Sequence, residues 1–169
     1  MELQGWHHLY SRVGSFVLEY GLGDNRVLGK CYNTITVDAP IYTVWAALRN
    51  FHEFPWARGV VEEVEAIGPL RADQVGARRL INGVFHETLL TLDDQDYVVE
   101  YSVDEGPGPI AKSKVENYIG RARLRPITAD NATFVEWTAT YDSSNDAAVG
   151  EYCDPIYVGL LNAMRDYFK

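Results

Sequence analysis

Several kinds of chemistry have no foothold in this chain of 169 residues. Only two cysteines occur, Cys31 and Cys153, far apart and in no Cys-x-x-Cys pair, which excludes a disulfide scaffold or a zinc ribbon. His7, His8, His52 and His86 show no ligand spacing of the His-Glu-x-x-His kind, so no metal is expected. There is no Gly-x-Ser-x-Gly nucleophile, and Gly21-Leu22-Gly23 lacks the third glycine of a dinucleotide loop. No motif therefore assigns a catalytic residue, and no cofactor is expected. Long apolar runs are missing too: none approaches the roughly 20 residues that span a bilayer, and the N-terminus lacks the basic start and apolar stretch of a signal peptide. A reduced, cytoplasmic setting is the expectation, in which the Asn131-Ala132-Thr133 sequon is accidental. Basic charge is scarce as well. With a net charge of −9, the chain would be repelled by nucleic acid and anionic membranes. Its one basic cluster, Arg121, Arg123 and Arg125, alternates with Ala122 and Leu124 in the manner of a solvated strand face.

What is present suits one globular domain. Apolar residues make up 47% and charged residues 23%, as in ordinary folded proteins. The 11 tyrosines and 4 tryptophans bring large apolar bodies whose polar edges want partners when buried, a composition suited to a ligand cavity. Residues 1–26 form an extension that reads either as a short helix, from Trp6, Tyr10, Val13, Val17 and Tyr20, or as an added hairpin strand, because Gly14 interrupts the helical spacing. The domain proper is expected over residues 27–169. It starts with a strand at residues 27–37, after which Asp38-Ala39-Pro40 opens a helix whose stripe is Ile41, Val44, Trp45 and Leu48. A second short helix or a turn follows at residues 51–57.

The period then changes to two. Extended segments are expected at residues 60–67, 77–81, 84–92, 97–104, 113–125 and 133–142. Asn82-Gly83 is the strongest hairpin signal, because both positions of a type I′ turn need positive φ. Residues 93–96 make another turn and Gly106-Pro107-Gly108-Pro109 a stiff loop. The last segment is helical again: Asp154 caps it, Pro155 opens it, and Ile156, Tyr157, Leu160, Met164, Tyr167 and Phe168 lie opposite Gly159, Asn162, Arg165, Asp166 and Lys169. Residues 146–153 add a helical turn or two before a kink at Pro155. Cys153 falls on the apolar face, where an inert buried thiol is expected.

This order of elements resembles the SRPBCC superfamily, which includes START lipid-transfer domains, birch-pollen-allergen-like proteins and the polyketide cyclase/dehydrase group. Val37-Asp38-Ala39-Pro40 with Val44-Trp45 is similar to the family's first strand-to-helix junction, and Phe54-Pro55-Trp56 to its second helix. Val75-Gly76-Ala77-Arg78-Arg79, Glu87-Thr88-Leu89, Tyr101-Ser102-Val103 with Glu105-Gly106, Asn117-Tyr118 and Val135-Glu136-Trp137 resemble its successive strands, and residues 157–168 its final helix. The resemblance implies an α+β helix-grip fold: a curved seven-stranded antiparallel sheet wrapped around a long C-terminal helix, with two short helices after the first strand.

Parity nominates the inner face. Tyr118, Gly120, Ala122 and Leu124 lie opposite the three arginines; Val135, Trp137, Ala139 and Tyr141 share one face, as do Val99, Tyr101 and Val103. Periodicity alone favours a filled core of these residues, whereas the resemblance implies an enclosed cavity that opens near the second helix and residues 106–109. It also turns Glu87 inward with Phe85 and Leu89. A buried carboxylate needs a partner. Arg78 is opposite Glu87 if the Asn82-Gly83 turn is tight, and Arg79 is opposite if the loop is longer; a solvated cross-strand pair is the other reading.

The candidate ligand-binding set is therefore Glu87, Leu89, Val99, Tyr101, Val103, Tyr118, Gly120, Trp137 and Ala139 on the sheet with Ile156, Leu160 and Met164 on the helix, and Arg78 or Arg79 as anchor. The tyrosine hydroxyls would orient a small hydrophobic molecule and the helix would supply most of the contact area. Such a site fits a binding or carrier module for a lipid, isoprenoid quinone or polyketide-like molecule. It also fits a cyclase or aromatase in which Tyr101, Tyr118, Glu87 or Arg78/Arg79 moves protons, or a sensor that closes over its ligand.

Overall fold

The computed structural model describes residues 26–169, and the alternatives for the N-terminal extension lie outside the described residues. Strand β1 (Val27–Val37) leads into helix α1 (Ile41–Leu48), followed by β2 (Val64–Ile67), β3 (Arg78–Ile81), β4 (Phe85–Asp93), β5 (Val98–Glu105), β6 (Val115–Ile127), β7 (Ala132–Ser143) and the long helix α2 (Asp146–Tyr167). The strands form one antiparallel sheet in the order β1-β7-β6-β5-β4-β3-β2. Each strand neighbours the next in sequence except that β1 closes against β7. Helix α2 lies across β1 and β7 on the face that carries the core. This is the helix-grip fold.

Alternation explains which face is which. On β6 Tyr118, Gly120, Ala122 and Leu124 are buried while Arg121, Arg123 and Arg125 are half-exposed, and on β7 Val135, Trp137, Ala139 and Tyr141 are buried. The parity of β6 is not uniform along the strand. Val115 is buried, so strict alternation would turn residue 117 inward and Tyr118 outward. A bulge between Glu116 and Ile119, with Asn117 at φ 51° and its amide donating to Asp142 at 2.7 Å, inserts one residue and turns Tyr118 inward.

Two local expectations change. The segment after α1 makes no second helix; isolated turns, with Glu53 N–H on the Asn50 carbonyl and Ala57 N–H on the Phe54 carbonyl, carry Phe51 and Trp56 into the core. Pro55 explains this, since it disfavours helical backbone at Phe54 and offers no N–H. The helical turns expected at residues 146–153 belong to α2 itself, so the helix is capped nine residues before Asp154. Asn145 is its N-cap, accepting from the Ala148 N–H at 3.2 Å, and Pro155 sits inside the helix. Asp154 instead accepts from the Asn33 amide at 3.0 Å and ties the helix to β1.

Candidate ligand-binding site

A cavity of about 250 Å³ lies between the sheet and the middle of α2. At about 30 Å³ per water molecule in the liquid, it has the volume of roughly eight waters, just below the usual range for drug-sized ligand pockets. The sheet contributes Glu87, Tyr101, Val103 and Tyr118, and the helix contributes Tyr152, Cys153, Ile156, Tyr157 and Leu160. Ile81, Asn82 and Phe85 of the β3–β4 hairpin, Val60 and Val61 before β2, and Ile110 complete the wall. Val60, Val61, Phe85, Tyr152 and Ile156 are only partly buried and Asn82 is exposed, so the rim lies between the hairpin tip and the helix.

The hairpin decides which arginine meets Glu87. Asn82 and Gly83 have φ of 50° and 69°, as a type I′ turn requires, and Val84 N–H donates to the Ile81 carbonyl. Yet Ile81 pairs with Phe85, leaving Val84 as an extra residue, and this places Arg79 opposite Glu87 and exposed Arg78 opposite Thr88. The tip is held by the Asn82 side chain, whose carbonyl oxygen accepts from the Glu62 and Glu63 N–H groups and whose amide donates to the Val60 carbonyl. That clamp takes the backbone of residues 60–63 out of the sheet and delays β2 to Val64.

Arg79 Nε and Nη2 both reach the same oxygen, Glu87 Oε2, at 2.7 and 2.6 Å, with both side chains more than nine-tenths buried. Nη1 donates to the Phe51 carbonyl at 2.8 Å, and the guanidinium lies 3.7 Å from the Phe51 ring centre and 4.4 Å from that of Phe54. Burial pushes the Glu87 carboxyl above its ordinary value, and Arg79 opposes that rise without cancelling it.

From Glu87 a run of polar edges crosses the cavity wall. Trp137 Nε1–H donates to the Tyr101 hydroxyl at 3.0 Å, the Tyr118 and Tyr157 hydroxyls share a hydrogen bond of 2.9 Å, and Tyr101 also engages Tyr157. The Cys153 thiol lies on the same wall, close enough to Tyr118 and to Cys31 for their titrations to be linked. Burial raises all three phenols above the usual tyrosine range, so they act as neutral hydroxyls. The Cys31 thiol beside it lowers Cys153 and is itself, reciprocally, raised.

Of the residues nominated from sequence, Glu87, Tyr101, Val103, Tyr118, Ile156 and Leu160 line the cavity. Leu89, Val99, Gly120, Trp137, Ala139 and Met164 do not; they are buried in packed core. Gly120 shows why. A Cβ there would stand 2.6 Å from the Tyr101 hydroxyl oxygen, so the space a small residue leaves is taken by the neighbouring ring. Trp137 packs against Trp56 and Tyr157 with ring centres 6.0 Å apart in both cases. Met164 lies one turn beyond Leu160, within solid core. Tyr152 and Cys153 fall outside the candidate set because its helix stripe starts at Ile156, although helical turns and an apolar-face Cys153 are expected before Pro155. Their spacing to Ile156, Tyr157 and Leu160 is the helical signal that would have found them.

Among the described residues no group of three or more His, Cys, Asp or Glu side chains is placed to hold a metal, and no helix is long and apolar enough to cross a membrane. The sheet gripping a helix over a mostly apolar cavity defines a ligand-binding domain of the SRPBCC superfamily. Residues 29–169 match the family of polyketide cyclases/dehydrases and lipid-transport proteins, and the chain belongs to it. A solved protein from Nitrosospira multiformis is 39% identical with a TM-score of 0.80, over 83% of this chain and 96% of that one. A Bacillus thuringiensis protein, 20% identical over 83% of this chain and 98% of its own, superposes with a TM-score of 0.67. Norcoclaurine synthase from Thalictrum flavum, solved with dopamine and hydroxybenzaldehyde, is 18% identical over 88% and 89% of the two chains with a TM-score of 0.64; at that identity it shares the fold alone. No curated protein matches.

Proposed function

We propose that the protein binds and carries a small hydrophobic molecule in the cavity between the sheet and α2. The observation that carries this reading is the cavity itself, with apolar walls from Val103, Ile110, Ile156 and Leu160 and a few convergent polar groups. Its volume favours a molecule of one or two rings over a long-chain lipid or an intact isoprenoid quinone. Burying apolar area contributes about 25 cal/mol per Å², against about 1 kcal/mol for one net hydrogen bond. The walls then supply affinity, and Glu87, Tyr101, Tyr118 and Tyr157 supply orientation. Two buried free thiols support a reducing compartment such as the cytoplasm.

Native mass spectrometry of the purified protein tests the reading. A small apolar adduct is expected on the wild type and not on Leu160→Trp, which fills the cavity. An adduct that survives on a folded Leu160→Trp variant refutes it.

A second reading, a cyclase or aromatase, is favoured by the Tyr101, Tyr118 and Tyr157 hydroxyls and the Cys153 thiol gathered on the cavity wall beside Glu87, groups that can exchange a proton with a bound chain. Turnover of a poly-β-keto substrate that Tyr118→Phe abolishes while ligand binding persists would favour it over the carrier.

A further inference from the structure

Glu87 presents an unusual donor balance. Both Arg79 nitrogens converge on Oε2, and among the described residues no donor reaches Oε1. The side chain is more than nine-tenths buried and lines the cavity, and so offers the cavity an acceptor that no described residue satisfies. Arg79 does not line the cavity: it stays behind the carboxylate, between the rings of Phe51 and Phe54. Among the described residues no lysine or arginine lines the cavity.

We infer that the ligand is an uncharged molecule carrying a hydroxyl, a phenol or an alcohol, which donates to Glu87 Oε1. The inference rests on the cavity's being the ligand site. The guanidinium faces the carboxyl at 2.6–2.7 Å, and as an ion pair the two are neutral overall. An anionic head would meet Oε1 and the nearby Asp104 carboxylate, with no cation in reach. An ammonium head would be stripped of water beside a carboxylate whose charge Arg79 already matches. A hydroxyl meets neither penalty and completes the acceptor. Free fatty acids and amines are thereby disfavoured, and hydroxylated ring compounds favoured.

Titration of the wild-type protein at pH 7.5 with naphthalene, 2-naphthol, 2-naphthoate and 1-naphthylmethylammonium, followed by tryptophan fluorescence and calorimetry, tests this. One charge-assisted hydrogen bond makes 2-naphthol bind roughly tenfold more tightly than naphthalene, and both charged probes more weakly than naphthalene. Glu87→Gln leaves Arg79 uncompensated and is expected to reverse the order of 2-naphthol and 2-naphthoate. Equal binding of all four probes, or tightest binding of either charged one to the wild type, overturns the inference while the cavity reading stands. If not even naphthalene binds, both fall. The wild-type panel decides the matter even where the Gln variant fails to fold.

Discussion

Breaking the Arg79–Glu87 pair should cost far more than breaking an ion pair of the same chemistry at the surface. Arg79→Met removes two contacts of 2.6–2.7 Å to Oε2, the 2.8 Å bond to the Phe51 carbonyl and the stacking on Phe51 and Phe54, while keeping an unbranched chain of similar bulk. It also strands a buried carboxylate. Removing one partner of a buried pair typically costs about 3–5 kcal/mol, a large share of the roughly 5–15 kcal/mol that holds a domain together. For a chain of this size that lowers Tm by about 6–20 °C. Glu87→Leu should cost a similar amount by stranding the guanidinium. The double variant Arg79→Met/Glu87→Leu leaves no charge behind, and its cost should fall well below the sum of the two. Urea unfolding of the four proteins measures the coupling energy directly. Arg49–Asp94, whose side chains are 36% and 57% exposed, is the internal control, expected to contribute less than about 1 kcal/mol. If Arg79→Met costs no more than Arg49→Met, and the cycle closes without coupling, the pair is solvated and the argument from burial is wrong.

Three further outcomes follow from the same geometry. Because burial raises Glu87, the native state keeps this proton to higher pH than the unfolded chain; the group's stabilising contribution is full below the ordinary carboxylate value and is lost as pH rises through the raised one. The stability gap between the wild type and Glu87→Gln should therefore narrow as pH rises above the ordinary carboxylate value, and a widening gap in pH-resolved urea melts would mean that Arg79 outweighs burial. Gly120→Ala drives a methyl group into the Tyr101 ring and should destabilise the fold by roughly 1–3 kcal/mol while shrinking the cavity, read as weaker naphthalene binding in calorimetry. Cys153 lines the cavity with its thiol lowered by Cys31, so a small apolar alkylating reagent should modify Cys153 ahead of Cys31, and ligand should slow the reaction. Peptide mapping that finds Cys31 labelled first would contradict the placement.

The fold was legible in the sequence because the sheet repeats one signal, alternation, strand after strand, and because Asn82-Gly83 and Asp38-Ala39-Pro40 punctuate it with residues whose backbone preferences admit few alternatives. The site was legible only in part, since a cavity depends on events one residue in size. Val84 is extra in the hairpin, and that single insertion moves Arg79 rather than Arg78 opposite Glu87. Asn117 is extra in β6, and without it Tyr118 would face solvent instead of Tyr157. Parity counted within each segment places side chains on a face and is blind to whether the facing space is empty. Gly120 sits on the inner face yet its space belongs to Tyr101, whereas Tyr152 and Cys153, hidden before a proline that the helix tolerates, reach open volume. Whether space beside a small residue becomes cavity or core is decided by the reach of the next large side chain, and that is a property of pairs across strands, which a pattern read along one strand does not contain.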